Sequence, residues 1–246
     1  MVKTIIHDEA GNSKWGEKDH LEIAQTRSFA SLIFELLSEK VPTDQELKVF
    51  ELILNLSIDH GPDTPSAMLV VEAARAGKTI SEAVAAGIME INDTHGGAQE
   101  KLMEILYKLK NHVILGRSGA TTPESNIEDS GQARMTMKDL VKQYLKEDKR
   151  IPGFGHRIYK DADPRAQRIL NTLKENGFSG EFIKIAADLE KELETQKGNK
   201  LPLNIDGAIA VTLCSFGWPA KLGKAVFIIA RTPGLCGQYL NAIDKT

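Results

Sequence analysis

The sequence predicts an all-α protein entered through a short β-hairpin. Three observations carry this. Apolar residues recur at helical spacing through most of the chain, alternating strand patterns are almost absent, and several segments open with recognisable helix caps. At the N-terminus, VKTIIHDEAGNSKWG has a short apolar run followed by an acidic, glycine-containing turn, which fits a hairpin. In HLEIAQTRSFASLIFELLSEK, Leu21, Phe29, Leu32, Ile33, Leu36 and Leu37 fall on one broad helical stripe. SIDHGPDTPSAM is a Gly-Pro turn, with Thr64 as cap and Pro65 as first residue of the next helix. DTHGGAQEKLMEIL starts a helix, with Asp93 or Thr94 as cap and Leu102, Ile105, Leu106 and Leu109 as its buried face. The polar stretch 116–132 reads as a loop. In DADPRAQRIL, Asp163 caps a helix whose first residue is Pro164. Phe182, Ile185, Ala186, Leu189 and Leu193 mark another buried face, and apolar helices follow at NIDGAIAVTL and IIARTPG.

Composition narrows the function classes. The 246 residues suit one large domain or two modest ones, and 41% hydrophobic with 26% charged residues is ordinary for a soluble globular protein. A net charge of −3 gives no footing for nucleic acid, so local cation clusters are read for small anions. The first residues lack the apolar core of a signal peptide, and no apolar run approaches membrane-spanning length, so the expectation is a cytoplasmic protein without membrane contact. Cys214 and Cys236 stand in apolar surroundings without metal-ligand spacing and read as core packing. There is no internal repeat and no heptad run, and neither a Walker motif nor a GxGxxG motif offers a site for ATP or a dinucleotide.

Four places have the residue types for chemistry. His60 follows Asp59 at the Gly-Pro turn, where a turn histidine bonding a carbonyl is the simpler reading. His95, in HGGAQE, stands at a helix entrance, where the macrodipole favours the neutral imidazole, able to donate to a forming oxyanion. His156 lies just after Gly155 and ahead of Arg157, Lys160 and Arg165; a solvated cationic face competes with an anion site there. Asp206 fits equally as the cap of the apolar helix after it and as a desolvated general base. Arg231 interrupts the most apolar helix, and a buried arginine needs an anionic partner. No nucleophile triad and no helical metal pair emerges, so the set points to acid/base chemistry on a multiply anionic substrate.

The stretch PGFGHRIYKDADPR, preceded by HGGAQE and followed by NIDG and IIARTPG, resembles the citrate synthase superfamily over residues 50–241. Within it, DHGPDTPSA is more similar to citryl-CoA lyases and the related C-terminal domain of ATP-citrate lyase than to full-length citrate synthases, which usually carry an Asn-Ala-Ser-Thr pattern there. His95, replaced in animal-type ATP-citrate lyase domains, is present. The chain is shorter than a full-length synthase and ends soon after Arg231, without a C-terminal arginine for a neighbouring subunit's site, which leaves the source of the third carboxylate contact open.

The resemblance implies a citrate synthase-like fold, with a large helical domain from residues 1–97 and 206–246 and a smaller inserted one from 98–205, the site lying in the cleft. It implies Asp206 as acid/base at the acetyl methyl carbon, His95 as donor to the thioester oxygen, and His156 as acceptor of the citryl hydroxyl proton. His60, Arg165 and Arg231 would hold the oxaloacetate portion, and Pro152, Gly153, Phe154 and Gly155 with Arg157 and Lys160 would contact coenzyme A. The expected reaction is cleavage of citryl-CoA to acetyl-CoA and oxaloacetate, with no metal and no tightly bound cofactor. A short citrate synthase, or a methylcitrate-type relative, is the first alternative and a non-catalytic docking subunit the second. The expected assembly is a homo-oligomer, at least a dimer, and without an ATP-grasp region citrate activation would fall to a separate ligase.

Overall fold

A computed structural model of the chain describes residues 5–92, 95–117 and 136–244. Strands β1 (Ile5–His7), β2 (Ser13–Trp15) and β3 (Lys18–Asp19) form an antiparallel sheet in sequence order, with Ile5 opposite Trp15. The hairpin is therefore present with one more short strand. Its turn is closed by Asp8, whose Oδ1 accepts from the backbone N–H of Ala10 at 3.0 Å and of Asn12 at 2.8 Å.

Helices follow: α1 (His20–Thr26), α2 (Phe29–Ser38), α3 (Asp44–Ser57), α4 (Pro65–Arg75), α5 (Ile80–Met89), α6 (Ala98–Arg117), α7 (Met137–Lys146), α8 (Pro164–Glu175), α9 (Glu181–Lys197), α10 (Ile205–Ser215) and α11 (Leu222–Ile243). The single stripe expected over 20–40 is two helices. Ser28 takes an extended backbone and accepts from Ser31 N–H, capping α2 and ending continuity at Arg27. Leu21 and Phe29 are consequently 65% and 75% exposed, while Ile33 and Phe34 face inward and Arg27 turns back to pair with Glu35.

Contacts divide the chain into two compact units. One comprises the described residues of 5–87, 175–177 and 226–244. In it α2 packs on α3, with Phe34 edge-on to Phe50 at 5.4 Å. Gly87 brings α5 close to α4, because a Cβ there would stand 2.9 Å from Ser66 O.

The other unit holds the described residues of 88–174 and 178–225. Here α10 runs along α6, and α9 packs on α6, α7 and α10. Residues Gly207–Cys214 of α10 are all buried, so its sequence is apolar on every side. The faces expected from spacing, Leu102, Ile105, Leu106 and Leu109 on α6 and Phe182, Ile185, Ala186, Leu189 and Leu193 on α9, are all buried. Cys214 belongs to this core, where burial pushes its thiol up to about 12, and Cys236 is half-buried; both are free thiols. The expected loop at 116–132 begins inside α6, and its part from 118 lies outside the described residues. Among the described residues, no helix is long and apolar enough to cross a membrane.

Leu102 is fully buried beneath the segment that carries His156. Leu102→Ala should cost about 2–5 kcal/mol of stability, read from urea denaturation.

Candidate active site

The segment Ile151–His156 is strapped to the residues that open α10. Phe154 and Leu203 form an isolated antiparallel bridge, Asn204 N–H donates to Gly153 O at 3.0 Å, and Gly155 N–H donates to Pro202 O at 2.8 Å. Asn204 adds its Nδ2 to Gly155 O at 2.9 Å while its Oδ1 accepts from Gly207 N–H at 3.1 Å, capping α10. Gly153 has φ +80°, and a Cβ on it would stand 2.9 Å from Gly207 Cα; a Cβ on Gly207 would stand 2.5 Å from Gly153 O. The loop therefore reaches α10 only because both residues are glycine.

His156 leaves this strap half-buried. Its Nδ1 accepts from the backbone N–H groups of Ile158 and Tyr159 at 3.0 and 3.1 Å. Nε2 lies 3.1 Å from Arg165 Nη2, and the ring stacks on Tyr159 at 4.7 Å. Burial, then the Arg165 guanidinium, hold the imidazole below the usual histidine range.

Asp163 fills the role expected of it at α8, accepting from Arg165 N–H at 3.0 Å, and it does more. It is 1% exposed, takes Arg165 Nε at 3.0 Å and Nη2 at 2.7 Å, and accepts from Ile205 N–H at 3.2 Å. Burial alone would raise this carboxyl, but the hydrogen bonds and charge of Arg165 outweigh it and hold it below the usual range. One buried ion pair thus orients Arg165 against His156 and ties the start of α8 to the start of α10.

Asp206 is not the cap of α10; Asn204 is. The shift by two residues puts the Asp206 carboxylate in the first turn, where the helix dipole favours its charge. Its Oδ1 accepts from Gln99 Nε2 at 2.8 Å. It lines a cavity of about 730 Å³ together with Pro152–Gly155, Lys101, Lys108, Lys149 and Arg150. A second cavity of about 520 Å³ shares Ile151, Phe154, Gly155, Lys149 and Arg150, and adds His156, Arg157, Lys160 and Lys197. Its lining has five cations and no carboxylate, a suitable environment for phosphate groups.

His95 is half-buried three residues before α6, exchanging backbone hydrogen bonds with Asn92 at 3.0 and 3.1 Å. Gly97 lies close against Asn92, since a Cβ there would stand 2.5 Å from Asn92 O. The expected caps Asp93 and Thr94 lie outside the described residues.

His95, His156, Arg165 and Asp206 belong to one compact unit, and His60 and Arg231 to the other. His60 is exposed after Asp59, whose Oδ2 accepts from Gly61 N–H at 3.2 Å and Gln238 Nε2 at 3.0 Å. Thr64 and Pro65 open α4 as expected, although the Thr64 hydroxyl donates to Gly61 O instead of accepting from the helix. Arg231 is 3% exposed on α11; its Nε donates to Ser57 O at 2.8 Å and its guanidinium lies 4.8 Å from the Phe227 ring centre. Among the described residues, no three His, Cys, Asp or Glu side chains group as metal ligands.

A family profile described as citrate synthase, C-terminal domain, matches residues 4–246, and the chain belongs to the citrate synthase family. It resembles the structure of citryl-CoA lyase from Hydrogenobacter thermophilus, with 34% identity, a TM-score of 0.79, and coverage of 99% of this chain and 86% of that one. A probable ATP-citrate synthase from Dictyostelium discoideum is 31% identical across 98% of this chain and 38% of its own length. Citrate synthase from Synechocystis is 29% identical across 99% of this chain and 55% of its own. The chain thus spans about two fifths of the first of these two curated relatives and just over half of the second.

Gly153→Ala should destabilise the protein by more than the roughly 1 kcal/mol expected for Gly11→Ala, as Gly11 shares its positive φ but has open space around it; urea denaturation of the two variants checks this. The imidazole of His156 should titrate by NMR below the ordinary histidine range and rise toward it in Arg165→Gln. Because the unfolded chain binds that proton first, acidification through the ordinary histidine range should lower stability through this group.

Proposed function

We propose that this protein is a citryl-CoA lyase, cleaving citryl-CoA to acetyl-CoA and oxaloacetate. The observation that carries the reading is the likeness to a citryl-CoA lyase across 99% of this chain and 86% of that one. The cation-lined cavities beside the glycine loop support it, because they offer coenzyme A phosphates Lys149, Arg150, Arg157, Lys160 and Lys197 within reach of Pro152–Gly155.

In the proposed chemistry the citryl hydroxyl gives its proton to the neutral imidazole of His156, which becomes an imidazolium, as the carbon–carbon bond breaks. The bonding electrons pass to the thioester as an enolate, whose oxygen His95 stabilises as a hydrogen-bond donor. Protonated Asp206 then delivers a proton to the methylene carbon, leaving acetyl-CoA and the carboxylate. Arg165, His60 and Arg231 would hold the oxaloacetate carboxylates. The proposal includes the division into a large domain and a small one at 98–205, a homo-oligomer of at least two copies, a cytoplasmic setting, no tightly bound cofactor and a citryl-CoA-forming ligase as partner.

A short citrate synthase, an acyltransferase, is the second reading, favoured by likeness to Synechocystis citrate synthase over 99% of this chain. Purified protein should release oxaloacetate from citryl-CoA rapidly and free CoA from acetyl-CoA plus oxaloacetate slowly. The opposite ratio would assign the synthase reaction, and neither activity would favour a docking subunit. Asp206→Ala should lower cleavage by about 100-fold or more at unchanged gel-filtration volume, as expected for loss of a general acid; undiminished turnover would remove Asp206 from the mechanism.

A further inference from the structure

We propose that Gln99 is a positioning residue that sets the orientation and charge of Asp206; its catalytic meaning rests on the acid/base reading of Asp206 given above. Gln99 is the second residue of α6 and is 0% exposed. Its Nε2 donates to Asp206 Oδ1 at 2.8 Å, from one closely packed helix to the other. The amide orientation is dictated by the pair, since its oxygen turned to a carboxylate would set two acceptors together.

Two further observations separate this contact from ordinary packing. The other end of the amide, Oε1, is buried without a hydrogen-bond partner among the described residues. A buried bare acceptor is destabilising, so a purely structural role would be better filled by an apolar side chain of the same length. Second, Gly223 at the start of α11 leaves the space that holds Gln99: a Cβ on Gly223 would stand 2.9 Å from Gln99 Cβ and 3.0 Å from Glu100 N. The side chain is clamped at its root and committed to one carboxylate oxygen at its tip.

The consequence is a fixed carboxyl: Oδ1 of Asp206 is held by Gln99, which sets the plane in which the group meets a carbon in the cavity. A charge-assisted donor also favours the ionised form, so losing it should move the titration of Asp206 to higher pH. The titratable groups that line the same cavity are Lys101, Glu104 and Lys108 on α6, Tyr144 on α7, and Lys149 and Arg150 beyond it. None of them changes in a Gln99 variant, so a shift reports the one bond removed.

The test is Gln99→Met, which keeps the length and removes the donor, with Gln99→Glu as its partner. The side-chain carboxyl of Asp206 is titrated by carbon-13 NMR in the wild-type protein and both variants, and cleavage of citryl-CoA is measured across pH. The expected result is a titration moved up by about one unit in Gln99→Met and further in Gln99→Glu, where two carboxylates meet. On the plateau of the cleavage profile kcat should fall about tenfold or more in Gln99→Met, because the acid is no longer aimed, while the basic limb, set by loss of the Asp206 proton, moves up with the titration; KM should change less than threefold and the thermal midpoint stay unchanged. An Asp206 titration that stays in place in both variants overturns the proposal, as does a wild-type kcat and pH profile in Gln99→Met when Asp206→Ala is inactive. Failure of the underlying reading looks different: the Asp206 titration still moves with Gln99, which upholds the coupling, while Asp206→Ala retains full turnover.

Discussion

Gly153 and Gly207 face each other without side chains, and the chemical layout of the second unit depends on that approach. Because neither residue carries a Cβ, the backbone of Ile151–His156 lies against the first turn of α10 and hydrogen-bonds to Pro202 and Asn204. Asn204 serves both partners, capping α10 with its oxygen and holding Gly155 with its nitrogen. His156 therefore leaves the strap from a set point, and Asp206 enters α10 beside the same loop. A side chain on either glycine would separate the two groups that the proposed reaction needs near one substrate.

The Asp163–Arg165 pair extends this constraint to charge. A buried ion pair contributes little net stability unless its remaining hydrogen bonds are satisfied, and here Asp163 also accepts from backbone N–H groups at the starts of α8 and α10. What the pair provides is direction: the guanidinium is presented to His156, where it helps keep the imidazole neutral and remains positioned for an anionic substrate. The cations around the two cavities are looser by comparison. Arg157 and Lys160 are exposed, which suits groups that meet mobile phosphates.

Much of this was legible in the sequence, for physical reasons that differ by residue. The buried faces of α6 and α9 follow from helical period alone, and Asp163-Pro164 announces a helix start because both residues favour it locally. The break at Arg27–Ser28 was hidden, since apolar spacing continues across it and only the local competition of Ser28 for Ser31 N–H ends the helix. Asp206 and Asn204 are both plausible caps two positions apart; the bond from Gly207 N–H and the strap to Gly155 select Asn204. Gln99 and Lys197 were missed because their significance is tertiary: Gln99 meets a carboxylate 107 residues away, and Lys197 closes a cavity whose other cations lie in the 149–160 region. A signal for Gln99 was present in its place directly after His95-Gly96-Gly97-Ala98, a segment already marked for chemistry.

In the proposed reaction the strapped glycine loop seats the coenzyme and Asp206 faces its acyl end. A crystal structure of the protein with coenzyme A and oxaloacetate tests it most directly. The account predicts the pantetheine chain along Pro152–Gly155, phosphates among Lys149, Arg150 and the neighbouring cations, and the thiol end directed toward Asp206. Coenzyme bound away from that loop, with Asp206 facing no part of either ligand, would contradict it.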